Sequence, residues 1–413
     1  MNLKKYLRKK IKFDIRKLRK VDENAENIFK THPPYYLFNT GDKDAVRDKV
    51  FFFNTDFDRR PFPENKQGCI ETVNRCLDYT RREYPGYKLY YKSHPTAFGD
   101  EKLYNLDSFE IIKDRSVSEI FQYKNFNRIK HVFSIESTTT MIAYSIGLNS
   151  HVFYRLFREH FGKHGCAFYD SFLGAMPESF FISDLNQPVK ENKIELKRDE
   201  AFEKHVAEQL NKNRGAVWFI IVDPGFLLIM ISLSKLIKKL SPGRKVNLLI
   251  TRHERWNAID MNDPSIKENF DGYTFFPKVK YAIKLKNLTD AVKTVIAVKK
   301  FKIKSGDIIC GMDMGSFLEN CFVSYFKNNL SIEITTDQVF DFTHHFEDPP
   351  DLDDFKTKWS ILFFTNIIEP LFGLYKGIRL YRPSQRNGGQ FTRYRQALNN
   401  IFDFVYIFKY KQD

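Results

Sequence analysis

The sequence predicts an α/β protein built from two Rossmann-like domains. The chain has 413 residues, which is longer than one average domain. Buried-strand patterns alternate with helical patterns over residues 46–190 and again over 215–345, and this alternation is typical of parallel sheets. A polar stretch, 191–214, lies between the two runs and reads as a linker that becomes a surface helix. We expect a cleft between the domains, because ligands often bind at domain interfaces.

The first domain is predicted from strand and helix patterns that follow one another closely. Lys49–Thr55 has the continuous apolar pattern of a buried strand, and Ile70–Glu83 has helical spacing before a Pro-Gly turn. The remaining elements are a strand ending in KSHP (92–95), a short strand FEII, a helix near Ser116–Phe121, a strand HVFS and a strand at His151–Leu156. Residues 1–45 are predicted to be a basic amphipathic arm with an irregular lead-in.

The second domain starts at Ala216, where the composition becomes strongly apolar. VWFIIVD is predicted as a strand, Pro224-Gly225 as a turn, and FLLIMISLSKLIKKL as a helix. The later elements are the strands VNLLIT, DIICG and Leu330–Thr335 and a helix at Ser316–Tyr325. Residues 346–413 are predicted as a helical extension containing an apolar helix near Ser360–Tyr375.

The net charge of +15 is concentrated at the start of the chain. Residues 1–20 hold ten Lys or Arg and one acid, Asp14, and their apolar residues Leu3, Leu7, Ile11, Ile15 and Leu18 form one helical stripe. A basic helix with an apolar stripe favours an anionic membrane surface, with docking on the protein itself as the alternative. We therefore expect a cytoplasmic protein at the inner face of the membrane. The weakly basic remainder argues against nucleic acid as a partner.

The cysteine and histidine patterns do not predict a metal site. The five cysteines include no CxxC pair and are typical of reduced, buried thiols. His344-His345, with Glu347 and Asp348 nearby, has poor spacing for a metal. We expect neither a signal peptide nor a transmembrane helix, because the apolar run Ala216–Leu233 is interrupted by Asp223-Pro224-Gly225.

Two loops of the first domain have side chains that suit an anion. Lys92 and His94 follow a predicted strand, and Pro95 restricts the backbone after the histidine. Ser134 and Ser137–Thr140 end another strand and precede a helix, where N–H groups and hydroxyls favour negative charge. The alternatives without ligand binding are a structural His-Pro loop and an ordinary helix cap. No GxGxxG or GxxxxGK[ST] motif occurs, which argues against dinucleotide and P-loop sites.

The motifs carry a resemblance to a known group of enzymes. Lys92-Ser93-His94-Pro95, the helix at Ser116–Phe121, and Ser134–Thr140 followed by Ala143 and Gly147 resemble the donor domain of bacterial glycosyltransferases that use CMP-activated sugars. These include sialyltransferases, polysialyltransferases and capsule Kdo transferases. The resemblance covers Val50–Phe157.

The resemblance implies a GT-B-like fold and a cytidine nucleotide site. It implies that His94 contacts the donor phosphate and that Ser137 and Thr138 hold it at the helix start. We expect the same site to include Lys92, Pro95, Ser134, Glu136 and Thr139. It also implies that no cofactor is needed beyond the CMP-sugar donor. The acceptor implied by the resemblance is a glycan or a lipid-linked molecule. The nucleotide domain is usually C-terminal in such families, so we expect either that the two domains are in swapped order here or that the chain joins pieces of a larger tandem enzyme. The acidic D/E-D/E-G motif of these families is absent.

The catalytic base is therefore sought among acidic residues that follow predicted strands of the second domain. Asp313, between two glycines, is the first choice, Asp337 the second, and Asp223 the third. Glu136 is an additional candidate from the first domain. Each could equally be a helix-cap or turn residue. Arg252, after VNLLIT, is a candidate for binding an anionic acceptor together with Asp223.

Three functions remain open from the sequence. The first is transfer of an acidic, sialic acid- or Kdo-like sugar from a CMP donor to a lipopolysaccharide, lipooligosaccharide or capsule precursor. The second is a CDP-alcohol phosphotransferase of the teichoic-acid type. The third is a non-catalytic nucleotide- or glycan-binding protein.

Overall fold

The computed structural model describes residues 26–40, 46–58, 63–94, 97, 99–113, 117–174, 176–252, 256–257, 259–280, 283–312, 316–336, 363–374 and 402–409. The strands in this part of the chain are β1 Ile28–Thr31, β2 Lys49–Phe53, β3 Lys88–Lys92, β4 Phe109–Ile111, β5 Ile129–Ser134, β6 Ser150–Val152, β7 Val217–Ile221, β8 Val246–Thr251, β9 Gly272–Phe276, β10 Ile308–Gly311, β11 Leu330–Thr336 and β12 Phe404–Phe408. The helices are α1 Lys66–Glu83, α2 Ser118–Asn125, α3 Thr138–Ser145, α4 Lys163–Leu173, α5 Glu200–Lys212, α6 Leu227–Leu240, α7 Pro264–Lys267, α8 Leu285–Lys300, α9 Phe317–Tyr325 and α10 Glu369–Leu371.

The first unit is a five-stranded parallel sheet in the order β4-β3-β2-β5-β6. Its central strand β2 has Val50–Phe53 wholly buried, as expected for a strand covered on both faces. Helix α1 begins where Asn65 accepts a hydrogen bond from the N–H of Gly68, and it packs Val73 and Leu77 against the sheet. Aromatic side chains fill much of this core, which explains the high phenylalanine and tyrosine content.

The second unit is a seven-stranded parallel sheet in the order β1-β12-β11-β10-β7-β8-β9. Strands β7 to β12 follow the six-stranded Rossmann order, with β1 added at the edge. Helices α5 and α6 pack on one face and α8 and α9 on the other. The predicted α/β class with two Rossmann-like domains is confirmed.

The predicted boundaries of the second unit need correction at both ends of the chain. Strand β1 lies in the segment predicted to be an irregular lead-in, and β12 lies in the predicted helical extension. They pair with each other, Ile28 opposite Val405 and Thr31 opposite Phe408. In the region of the predicted apolar helix, the described residues form a π-helical turn, Phe364–Ile368, followed by α10. The basic arm, residues 1–20, lies outside the described residues.

The two units share one apolar core at their interface. Phe53 and Ile120 of the first unit and Leu227 of the second belong to the same buried cluster. Lys124 of α2 forms an ion pair with Asp263, 2.5 Å away, in the second unit. At the other end of α2, a Cβ built on Gly225 would lie 4.0 Å from Glu119 Oε1. The start of α2, which follows β4, therefore lies against the loop after β7, so carboxyl-end loops of both sheets adjoin.

A buried pair of histidines makes the stability of the first unit dependent on pH. His131 Nε2 lies 2.8 Å from His151 Nδ1, while Tyr84 Oη and Asn149 Nδ2 lie 2.5 and 2.9 Å from His131 Nδ1. Both neighbours can donate to Nδ1, so a neutral His131 that donates from Nε2 satisfies all three contacts. Burial holds the pKa of His131 well below its ordinary value and lowers that of His151 to about 4.

We expect the free energy of unfolding to fall as the pH drops from about 6.5 toward 4. Above about 6.5 both histidines are neutral in the folded and the unfolded chain. Below it the unfolded chain binds protons that the native chain excludes, so stability is lost. The slope reaches about 1.4 kcal/mol per pH unit for each histidine. Urea unfolding at a series of pH values checks this, and a flat profile from pH 7 to 5 would contradict it.

Candidate active site

The crevice most suited to a ligand in the first unit lies between β2 and β5. From β2 the chain adds β3 and β4 on one side and then crosses to add β5 and β6 on the other. The loops after β2 and β5 therefore leave the sheet in opposite directions and open a crevice at its carboxyl edge. Residues 54–56 and Glu136 border this opening, and all of them are buried.

A hydrogen-bonded cluster joins the loops on the two sides of this crevice. Thr55 Oγ1 donates to Glu136 Oε1 over 2.5 Å, and Tyr169 of α4 donates to the same oxygen over 3.0 Å. Glu136 is only 2% exposed. The carboxylate is thus fixed at the floor of the crevice, and it positions the loop after β5 relative to the loop after β2.

The loop after β3 is anchored by a second polar cluster. Asp100 accepts hydrogen bonds from Ser93 Oγ at 2.6 Å and from Asn54 Nδ2 at 2.9 Å. Burial raises the pKa of Asp100, against the effect of these hydrogen bonds. His94 itself is half-buried, and its carbonyl accepts the N–H of Ala97 at 2.9 Å, which closes a turn. Lys92 is buried at the end of β3, and Pro95 lies outside the described residues.

The serine and threonine cluster divides into a buried part and an accessible part. Ser137 Oγ accepts the N–H of Thr139 at 3.2 Å and so caps α3, while Thr138 is exposed at the first position of the helix. Ser134 is fully buried and its Oγ accepts a hydrogen bond from Thr140 over 2.7 Å. Ser134 and Thr139 are thus placed below the surface, whereas Ser137 and Thr138 lie at the helix start.

The sheet register brings the two predicted anion-binding loops to the same edge. Lys92 lies opposite Phe53, and Phe53 lies opposite Ser134, so β3 and β5 end in one row. Because β2 stands between them, the two loops are separated by two strand spacings, about 10 Å. His94 and the start of α3 therefore flank the crevice from opposite sides.

The second unit has its own crevice between β7 and β10, where its strand order reverses. Asp223 follows β7, and its carboxylate accepts the N–H of Gly225 at 2.9 Å, so it caps the turn before α6. Strand β10 ends at Gly311, which is opposite Ile220 of β7. Asp313 is the second residue after that strand end in the sequence, and both Asp313 and Asp337 lie outside the described residues.

Two buried carboxylates near this crevice were not singled out from the sequence. Glu319 in the first turn of α9 and Glu333 in β11 are both fully buried. A Cβ added to Gly311 would clash with Glu319 Oε1 and would lie 2.7 Å from Glu333 Oε2. Gly311 therefore leaves the space in which both side chains lie. Glu333 stands opposite Gly311 in a central strand, where an apolar residue is the usual choice.

Arg252 is exposed at the end of β8, next to β7 in the sheet. Its guanidinium lies 5.5 Å from the centre of the Phe275 ring, a cation–π distance. The position is at the carboxyl edge, as an acceptor-binding residue requires.

The described residues contain neither a candidate metal-binding cluster nor a candidate membrane-spanning helix. In that part of the chain, no group of three or more His, Cys, Asp or Glu side chains is placed to hold a metal ion. None of the described helices combines the length and the apolar character that crossing a membrane needs.

No family model matches this sequence, and no curated protein does. Among solved structures, wall teichoic acid polymerase TagF soaked with CDPG aligns over 73% of this chain and 74% of that chain, at 15% identity and a TM-score of 0.20. The E. coli heptosyltransferase WaaC with ADP aligns over 79% of this chain and 99% of that chain, at 11% identity and a TM-score of 0.21. E. coli ADP-heptose LPS heptosyltransferase II aligns over 70% and 85%, at 12% identity and a TM-score of 0.18. Likenesses this weak say nothing about activity.

Proposed function

We propose that this protein is a glycosyltransferase that moves an acidic, sialic acid- or Kdo-like sugar from a CMP-activated donor to a bacterial surface glycan precursor, such as lipopolysaccharide, lipooligosaccharide or capsule. The observation that supports it is the crevice between β2 and β5. On one side of β2, Lys92 ends β3 and His94 lies in the loop after it, and the capped start of α3 stands on the other side. The arrangement suits the phosphate of a nucleotide.

The donor side of the reaction needs a group that stabilises departing CMP. As the bond between the sugar carbon and the phosphate oxygen breaks, negative charge grows on that oxygen. A protonated His94 would donate to it, Lys92 would supply a fixed positive charge, and the N–H groups at the start of α3 would add their dipole. These groups could neutralise the leaving phosphate without a metal ion.

The acceptor side needs a carboxylate to remove the proton from the attacking hydroxyl. We assign this role to Asp313, because it follows the strand that borders the crevice of the second unit. Asp337 is the next candidate. Asp223 is a weaker one, because its carboxylate already caps Gly225.

A CDP-alcohol phosphotransferase is the second candidate function, and one observation favours it. The loop with His94 and the start of α3 are separated by about 10 Å across β2. A diphosphate is longer than a monophosphate and spans more of this distance. The side chains on both sides of the crevice would therefore contact a CDP-linked donor over shorter distances.

The proposal includes a cytoplasmic location at the inner face of the membrane. It rests on the basic amphipathic pattern of residues 1–20, which lie outside the described residues. A lipid-linked acceptor would be presented at that surface.

A donor screen tests the proposed function. We expect CMP to raise the melting temperature more than uridine nucleotides do, because ligands that bind the native state stabilise it. Transfer or slow donor hydrolysis should then occur with a CMP-sugar. Turnover of CDP-glycerol instead would establish the second candidate. Binding of CMP without turnover of any donor would indicate a non-catalytic binding protein, and no stabilisation by any cytidine nucleotide would contradict all three.

A further inference from the structure

Helix α8 presents an unusual outer face to solvent. Its inner positions Ala291, Val295 and Val298 are buried against the second sheet, as in any amphipathic helix. Its outer positions, however, include large apolar side chains: Leu285 is 81% exposed, Val292 42% and Ile296 48%, and Ile283 just before the helix is 50% exposed. Spacings of seven and four residues place Leu285, Val292 and Ile296 in one stripe.

Lysines surround this apolar stripe. Seven lysines between residues 283 and 304 are exposed, namely Lys284, Lys286, Lys293, Lys299, Lys300, Lys302 and Lys304. The only acidic residue in the sequence of the same segment is Asp290, which is half-buried. The next acidic residue, Asp307, is buried. Lys299 lies 5.0 Å from the centre of the Tyr325 ring, and none of the seven forms an ion pair with a described residue. The outer face of α8 is therefore apolar and strongly positive at once.

Helix α8 lies on the face of the second sheet that is turned away from the first unit, so a surface bound there would not cover the candidate active site. Helices α8 and α9 cover the face of the second sheet opposite to α6, and α6 is the helix that packs against the first unit. Because α8 follows β9 and leads back to β10, its first turn lies at the carboxyl edge of the sheet. A flat surface that contacts α8 would thus lie beside the edge where the two crevices open.

We propose that the outer face of α8, residues 283–304, binds an anionic lipid surface. Leu285, Val292 and Ile296 would enter the boundary between headgroups and acyl chains, and the flanking lysines would reach the lipid phosphates. A protein interface is less suited, because interface cores are depleted of lysine. Charge complementarity with anionic headgroups accounts for both the apolar and the basic side chains. This binding does not depend on the proposed transfer activity, and it is distinct from any contact made by residues 1–20.

Partitioning of the full chain to vesicles is the first test. Lys286→Gln with Lys293→Gln should weaken binding to vesicles of phosphatidylcholine and phosphatidylglycerol roughly 30-fold. The matched control is Lys204→Gln with Lys212→Gln on α5, a helix on the opposite face, and it should bind like the wild type. Equal binding by wild type and the α8 variant, or equal losses in both pairs, would overturn the proposal.

A probe on α8 separates its contact from that of the N-terminal arm. Val292→Cys, labelled with an environment-sensitive fluorophore in a Cys166→Ser background, should shift its emission to the blue when anionic vesicles are added. The other cysteines are buried and should not react. Ala201→Cys on α5 serves as the control and should not shift. No shift at residue 292, or the same shift at both positions, would mean that α8 does not contact the lipid.

Discussion

Replacing Asp313 with asparagine is expected to lower kcat for sugar transfer by about 10²- to 10⁴-fold and to leave the affinity for CMP unchanged. The substitution keeps the shape of the side chain and removes the proton acceptor. A base on the second unit acts on the acceptor hydroxyl and does not hold the nucleotide. Steady-state transfer kinetics and calorimetric titration of CMP measure the two quantities separately.

Asp223→Asn tests the competing candidate for the base, because Asp223 also follows a strand of the second crevice. Its carboxylate accepts the N–H of Gly225, and an asparagine can accept the same hydrogen bond. Turnover should therefore change little. Near wild-type turnover by Asp313→Asn would reject Asp313 as the base, and the same experiment on Asp337→Asn would follow.

His94→Ala is expected to weaken CMP binding by roughly 10- to 100-fold and to reduce transfer at least as much. A hydrogen bond to a charged group contributes about 1.5–3 kcal/mol, which corresponds to this range. The histidine should matter more in the transition state than in the ground state, because charge grows on the leaving phosphate as the sugar departs. A fall in kcat beyond the fall in affinity would show this difference.

His160→Ala controls for the loss of a histidine from the first unit. His160 Nε2 lies 3.1 Å from Thr72 Oγ1 on α1, and the residue is not part of the loop that carries His94. This variant should retain CMP affinity and transfer. If both histidine variants lose CMP binding to the same extent while remaining folded, the effect of His94 is not specific to the donor site.

Much of the first unit was predictable because its signals are local. The apolar run before Asn54 and the Ser137 cap of α3 each depend on a few neighbouring residues. The placement of Lys92, His94 and the start of α3 at the same edge of the sheet followed from the strand–helix alternation. Ser134 was predicted to bind the nucleotide together with its neighbours. Its hydroxyl instead accepts a hydrogen bond from Thr140 beneath the helix, a contact that the sequence alone does not reveal.

The ends of the chain were not predictable in the same way. Strand β1 has only four residues and pairs with β12, more than 370 residues later. Such a strand gains its stability from a distant partner, and local propensity carries little of that information. Glu319 and Glu333 lie on consecutive elements, α9 and β11, and their proximity depends on the space that Gly311 leaves at the end of β10, which the sequence pattern does not show.

The central claim is that the donor nucleotide binds in the crevice between β2 and β5 of the first unit, and the most direct test is calorimetric titration of CMP into His94→Ala and Asp313→Asn. We predict affinity weakened by roughly 10- to 100-fold in the first variant and wild-type affinity in the second. Unchanged affinity in folded His94→Ala, with affinity lost in Asp313→Asn, would place the nucleotide on the second unit and contradict the claim.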